Sequence, residues 1–139
     1  MVTTPGYSGK PLLNKLGFKP PLNLVAIGAP VEYASWLGEL PAGLQIVSKR
    51  KKEVEAAHVF VMKRNVLERE LKTLRKQLQQ NGFVWVSWPK KSSKVRTDIT
   101  EDTIREVALP LGFVDIKVCA VSDVWSGLKL VIRREARTL

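Results

Sequence analysis

The order of the predicted strands and helices, with one very short connection, constrains the fold of this chain more than any other feature. Hydrophobic periodicity predicts strand, helix, strand, strand, helix, strand, helix, strand, strand. This alternation is typical of an α/β protein with an open, mostly parallel sheet. The last two strands, Val114–Val121 and Leu128–Arg133, are separated by about six residues, too few for a crossover between parallel neighbours. They must form an antiparallel hairpin at one edge or pair as near neighbours.

Apolar runs bounded by turn residues define the other predicted strands, which are Leu22–Ile27, Leu44–Val47, Ala57–Met62 and Gly82–Trp88. The last of these is almost wholly apolar, as expected for a strand covered on both faces. A helix is predicted over Val31–Leu40, with Pro30 in its first turn.

Two further helices carry capping signals. Asn65 and Glu68 have the spacing of a capping box, and Gly82 is expected to follow the end of the same helix. The next helix is predicted to start after Thr100 and to run to Leu109, where proline and glycine stop it.

A length of 139 residues suits one ordinary domain. Residues 1–20 are rich in glycine and proline, which predicts an N-terminal arm with at most a short turn of helix at Leu12–Leu16. Residues 21–139 are then expected to form a single domain.

The single cysteine and single histidine exclude several kinds of site. One cysteine cannot form a disulfide within the chain, and Cys119 with His58 falls short of a zinc ligand set. Both lie in apolar runs, which favours interior strand positions over a nucleophilic pair. No apolar stretch reaches the roughly 18–20 residues that span a bilayer, and the N-terminus lacks a signal-peptide profile. We therefore expect a cytoplasmic protein without a metal site.

The final hairpin resembles that of the class I methyltransferases, a three-layer Rossmann-like fold. In that fold the last strand inserts, antiparallel, between its two predecessors. The resemblance implies six strands in the order 2-1-3-4-6-5 with the last one antiparallel.

Two segments are distinctive: Trp88-Pro89-Lys90-Lys91, and the sequence WSGLK at residues 125–129. With the N-terminal GYSGKPLLNKLGFKP and the AIGAP turn, they resemble a family of small bacterial proteins known only as a domain of unknown function. The resemblance covers nearly the whole chain, and it implies no activity.

The cofactor signals of a methyltransferase are degenerate in this sequence. The turn after the first strand has a single glycine, Gly28, and Pro30 removes an N–H donor. Lys49 and Arg50 follow the second strand, where an acidic residue usually holds the ribose hydroxyls. No DPPY-type motif follows the third strand, which runs into Met62-Lys63-Arg64. We therefore expect no bound S-adenosylmethionine and no other cofactor.

Basic residues gather where the predicted strands end. The chain has 23 Lys and Arg against 13 Asp and Glu, a net charge of +10, which favours anionic partners. In an open α/β sheet, ligands bind beyond the carboxyl ends of the strands. A basic rim there, with tryptophans able to stack on a base, predicts a site for phosphate, nucleotide or nucleic acid. The candidate residues are Lys49, Arg50, Lys63, Arg64, Trp88, Lys90, Lys91, Trp125 and Ser126.

A purely structural interpretation stays open for each of these residues. Lysine runs in loops are usually solvated surface, and Trp85 and Trp88 can fill the core. No residue stands out as a general acid or base. The sequence therefore predicts a non-catalytic binding or regulatory module for an anionic ligand, with no membrane partner. A minimal atypical transferase and a nucleic-acid-binding protein stay open as alternatives.

Overall fold

A single six-stranded sheet organises the protein, whose computed structural model describes residues 11–48 and 52–137. The strands are β1 Leu22–Ile27, β2 Leu44–Val47, β3 Val54–Phe60, β4 Leu78–Pro89, β5 Phe113–Ala120 and β6 Trp125–Ile132. The helices are α1 Leu12–Lys15, α2 Tyr33–Leu37, α3 Arg64–Gln77 and α4 Glu101–Ala108.

The strand order is β2-β1-β3-β4-β6-β5, as predicted. The first four strands run parallel to one another, and β6 is antiparallel to both of its neighbours, β4 and β5. Only four residues separate β5 from β6, and so short a connection permits only an antiparallel return.

Helices cover both faces of the sheet. On one face, α3 and α4 bury an apolar layer that includes Leu71, Ile104 and Val86. On the other face, α1 and α2 pack with Leu24 and Trp85. The strands between them are buried on both sides, which accounts for their nearly continuous apolar sequence. Within the described ranges, no helix is long and apolar enough to cross a bilayer.

The segment before β1 belongs to the packed core from α1 onward. The helical turn expected near Leu12 forms as α1, and Leu16 and Phe18 are buried. The indole N–H of Trp85, on β4, donates a hydrogen bond to the carbonyl oxygen of Leu16 at 2.7 Å. This bond satisfies the polar atom of a fully buried side chain and fixes the segment on the sheet.

The start of α3 differs from the prediction. The helix begins at Arg64 after Lys63, which makes no side-chain cap. Instead, the backbone N–H of Arg64 donates to the Asp98 carboxylate at 2.7 Å. The acceptor that caps α3 therefore comes from a distant loop. The prediction of a capping box formed by Asn65 and Glu68 is wrong.

The end of α3 also differs. The helix stops at Gln77, and β4 starts at the next residue, so Gly82 lies inside a strand. A Cβ on Gly82 would lie 2.8 Å from the carbonyl oxygen of Glu55. The glycine permits close approach of β3 and β4 beside a register shift, and does not end the helix.

Two other elements have different lengths from those predicted. The helix expected over Val31–Leu40 is confined to the five residues of α2. The third strand starts earlier, at Val54. By contrast, α4 forms as expected, with Thr100 and Thr103 as reciprocal caps.

Candidate functional site

A groove opens at the carboxyl edge of the sheet, where β1, β3 and β4 end and β6 begins. It has a volume of about 260 Å³ and lies between α2 and the turn that joins β5 to β6. The described lining residues are Glu32, Trp36 and the segment 122–125. We call this feature the Trp36–Trp125 groove.

Phe60, the last residue of β3, supports both tryptophans of the groove. Its ring centroid lies 5.1 Å from that of Trp125, edge to face, and 6.5 Å from that of Trp36. Both indoles are half-buried. Aromatic contacts of this kind fix ring orientation and leave part of each π-surface open to the groove.

A buried hydrogen-bond chain holds α2 against the sheet behind the groove. The Tyr33 hydroxyl lies 2.8 Å from Nδ1 of His58, and Nε2 of His58 lies 2.7 Å from the Ser87 hydroxyl. All three side chains are buried. Burial lowers the pKa of His58 to about 3 and raises that of Tyr33 above its usual range. The imidazole is therefore neutral at physiological pH, and its two nitrogens take opposite hydrogen-bonding roles.

The opposite wall of the groove is a tight turn built by Ser122. Its hydroxyl oxygen accepts hydrogen bonds from the backbone N–H groups of Val124 and Trp125, at 3.2 and 3.1 Å. The turn places the exposed Asp123 beside Trp125. A hydroxyl that binds the backbone two and three residues on is a common turn-forming device.

The groove has an acidic character in a basic protein. Glu32 and Asp123 are exposed, and neither forms an ion pair with another described residue. No Lys or Arg is among its described lining residues. The described lining of the groove therefore offers an anionic ligand no complementary charge.

The two predicted tryptophans lie on opposite faces of the sheet. Trp88 pairs with Ser126 across β4 and β6, and Pro89 pairs with Trp125. Because side chains alternate along a strand, Trp88 enters the core under α3 and α4 while Trp125 packs on the α2 side. Trp88 is only 7% exposed. The prediction of a single rim that carries both indoles is therefore wrong. Trp88 cannot stack on a ligand because its side chain is buried in the core.

The predicted basic residues separate into three groups. Lys63 and Lys91 are exposed, and Lys90 is half-buried with its backbone N–H bonded to the Val124 carbonyl at 2.7 Å. Arg64 is engaged by Glu106 at 2.8 Å and by Glu68 at 3.9 Å. Lys49 and Arg50 lie outside the described residues.

Three groove residues, Glu32, Trp36 and Asp123, were not identified as candidates from the sequence. Glu32 and Trp36 lie within the range predicted as one helix, and Asp123 lies between the last two predicted strands. The order of the elements could have indicated these residues, because the helix after the first strand and the turn before the sixth strand both lie at the carboxyl edge of the sheet.

Solved structures give the relationship of this chain to known proteins. Ribosomal protein L11 methylase from Lactobacillus delbrueckii subsp. bulgaricus superposes with a TM-score of 0.55 and 13% identity, over 88% of this chain and 76% of that one. Aeropyrum pernix fibrillarin, solved with natively bound S-adenosyl-L-methionine, gives 0.56 and 13% over 87% and 72%. The fold is that of the class I methyltransferases.

A putative type 11 methyltransferase from Sulfolobus solfataricus has the same fold, with a TM-score of 0.55 and 10% identity over 84% of this chain and 88% of that one. No protein-family model and no curated protein matches the sequence. At these sequence identities, the solved structures show that this chain shares the methyltransferase fold.

The turn after β1 contains one glycine and one proline, Gly28 and Pro30. Gly28 has a φ of 69°, and a Cβ there would lie 2.8 Å from the carbonyl oxygen of Phe60. The space beside this glycine is therefore occupied by β3. Pro30 supplies no N–H, and α2 has only five residues. These residues do not fit the usual binding of S-adenosylmethionine at a glycine-rich turn.

Proposed function

We propose that this protein is a ligand-binding protein built on the methyltransferase fold, and that the Trp36–Trp125 groove holds a small organic onium cation. The observation that carries the proposal is the composition of the groove. Two indoles and two carboxylates line it, without a lysine or arginine among its described residues, in a chain of net charge +10.

Each lining group suits a positively charged, weakly hydrated ligand. An onium centre within about 6 Å of an indole face gains roughly 0.5–2 kcal/mol from the ring quadrupole. Glu32 and Asp123 add Coulomb attraction and accept hydrogen bonds from any N–H or O–H group that the ligand carries. The same carboxylates repel phosphate and carboxylate ligands, so an anion would bind elsewhere.

Methyl transfer is the second candidate, and the fold favours it. S-adenosylmethionine is itself an onium cation, and the fibrillarin of the same fold was solved with it. In this chain the sulfonium would contact Trp36 and Trp125, away from the turn at Gly28. When bound, this cofactor supplies an electrophilic methyl group. Glu32 and Asp123 would orient its hydroxyl and amino groups, and Phe60 would exclude water from one side of the groove.

Calorimetric titration of the whole chain tests the onium proposal. The probes are S-adenosylmethionine, S-adenosylhomocysteine, tetramethylammonium and ATP. Because S-adenosylhomocysteine lacks the positive sulfur, we expect it to bind about 2- to 30-fold more weakly than S-adenosylmethionine. Tetramethylammonium should compete with S-adenosylmethionine, whereas ATP should not. Equal affinity for the two adenosyl compounds, or no binding of either onium compound, would contradict the proposal.

A label-transfer assay separates the two candidate functions. The protein is incubated with tritium-labelled S-adenosylmethionine and with RNA or protein acceptors. Label in an acceptor, lost in a Trp125→Leu variant that still folds, supports the transferase. Saturable binding with no transferred label supports a binding protein.

A further inference from the structure

A second surface at the carboxyl edge has the opposite charge from the groove. Two chain segments contribute to it, one at the start of α3 and one in the loop between β4 and α4. Its cationic side chains, which we call the basic loop surface, are Lys63, Lys90, Lys91, Lys94 and Arg96.

Hydrogen bonds join the two segments. The Thr97 hydroxyl and the backbone N–H of Asp98 both donate to the carbonyl oxygen of Met62, at 2.7 and 3.2 Å. The Asp98 carboxylate in turn accepts the N–H of Arg64. These contacts place Lys63 beside the loop, although more than twenty residues separate it from Lys90 in the sequence.

The loop has a defined conformation of its own. The Ser93 hydroxyl donates to the carbonyl oxygen of Lys90 at 2.6 Å and accepts the N–H of Val95 at 3.2 Å. Lys94 adopts a left-handed conformation with φ of 61°, which closes the turn. With the bond from the Lys90 N–H to Val124, these contacts fix the backbone that carries four of the five cations.

Among the described residues, the carboxylates beside the basic loop surface have ion-pair or hydrogen-bond partners, whereas its five cations form no ion pair. Glu106 engages Arg64, Glu101 engages Arg105, and Asp98 caps α3. None of the five cations forms an ion pair with another described residue. Four of them are exposed, and Lys90 is half-buried.

We propose that the basic loop surface binds the phosphate backbone of a nucleic acid. Several exposed cations spread over a fixed surface suit an extended polyanion better than a single small anion, which needs converging donors around one point. Phosphate contacts of this kind release counterions and give affinity without sequence specificity. The inference rests on residues outside the Trp36–Trp125 groove, so it stands or falls independently of the proposed function.

The test is fluorescence anisotropy of a labelled 20-nucleotide RNA over a series of salt concentrations, with single-stranded DNA and duplex RNA in parallel. The variant is Lys91→Ala/Lys94→Ala. The matched control is Lys72→Ala/Lys76→Ala, which removes the same charge from exposed positions of α3. Since all four lysines are exposed, both variants should keep the wild-type melting temperature to within a few degrees.

For the wild type we expect a Kd of about 10⁻⁴–10⁻⁶ M that weakens steeply with salt. The loop variant should lose about 0.7 units of log–log salt slope per lost contact on single strands, and roughly tenfold in affinity at moderate salt. The control should change by less than about twofold. Equal losses in both variants would overturn the proposal, because net charge alone would then explain binding. Equally tight binding of polyglutamate would overturn it in favour of a general polyanion surface.

Discussion

The Tyr33 hydroxyl lies 2.8 Å from Nδ1 of His58, and this contact joins α2 to β3 behind the groove. Trp36 follows Tyr33 by less than one helical turn, and the two rings meet edge to face at 6.5 Å. The position of the groove's aromatic wall therefore depends on a hydrogen bond in the core. Ser87, on β4, satisfies the other imidazole nitrogen.

Acid should weaken the fold through His58. Burial lowers its pKa to about 3 in the folded chain, against about 6.5 when unfolded. Between those values the unfolded chain binds more protons, so the free energy of unfolding falls as the pH falls. We expect a loss of about 2 kcal/mol between pH 7.5 and pH 5, measured by urea unfolding.

His58→Gln is the control for this pH dependence, since His58 is the one histidine of the chain. The variant should be less stable throughout, and its stability should change little over the same range. An independent check needs no variant: the imidazole resonances of the wild type should show no titration above pH 4. A titration near pH 6.5 in the folded protein would contradict the burial of a neutral ring.

Gly28 and Gly38 make a matched pair for testing the turn after β1. Both have positive φ, of 69° and 77°, but a Cβ on Gly38 meets nothing within 4 Å. Gly38 has a ψ of −159°, in a region adopted almost only by glycine, so Gly38→Ala should cost backbone strain of about 1–3 kcal/mol and no clash. Gly28→Ala adds a clash with the Phe60 carbonyl and should cost about 1–3 kcal/mol more. Equal costs in urea unfolding would show that β3 does not occupy the space beside Gly28.

The cap of α3 can be located by two alanine substitutions. Asp98→Ala removes the acceptor of the Arg64 N–H and should destabilise the fold by about 0.5–2 kcal/mol. Asn65→Ala should change stability by less than about 0.5 kcal/mol, because Asn65 makes no cap. Thermal unfolding of the two variants measures both losses of stability. A larger loss for Asn65→Ala than for Asp98→Ala would support the capping box predicted from the sequence.

The sheet order follows from local features of the sequence. The short turn before β6 forces an antiparallel return, and the almost wholly apolar β4 marks a strand buried on both faces. Thr100 and Thr103, three residues apart, cap α4, and a cap of this spacing can be recognised in the sequence. These predictions from neighbouring residues are confirmed, whereas the local signals at Asn65 and Gly82 failed because Asp98 caps α3 and β4 starts before Gly82.

The candidate site depends on contacts that no local pattern encodes. The register of β4 against β6 decides that Trp88 and Trp125 face opposite ways, and sequence spacing says nothing of that register. Asp98 caps a helix that begins 34 residues earlier. The groove likewise joins Trp36 to Trp125 through Phe60, three side chains from three separate elements.

The central claim is that the groove binds a cation, and charge removal in the groove tests it most directly. S-adenosylmethionine is titrated calorimetrically into the wild type, into Glu32→Gln/Asp123→Asn, and into Glu39→Gln/Glu55→Gln as a control of equal charge change at exposed positions outside the groove. We predict that the groove variant loses about tenfold in affinity, roughly 1.4 kcal/mol, while the control binds like the wild type. Unchanged or tighter binding by the groove variant, or no binding by the wild type, would contradict the account.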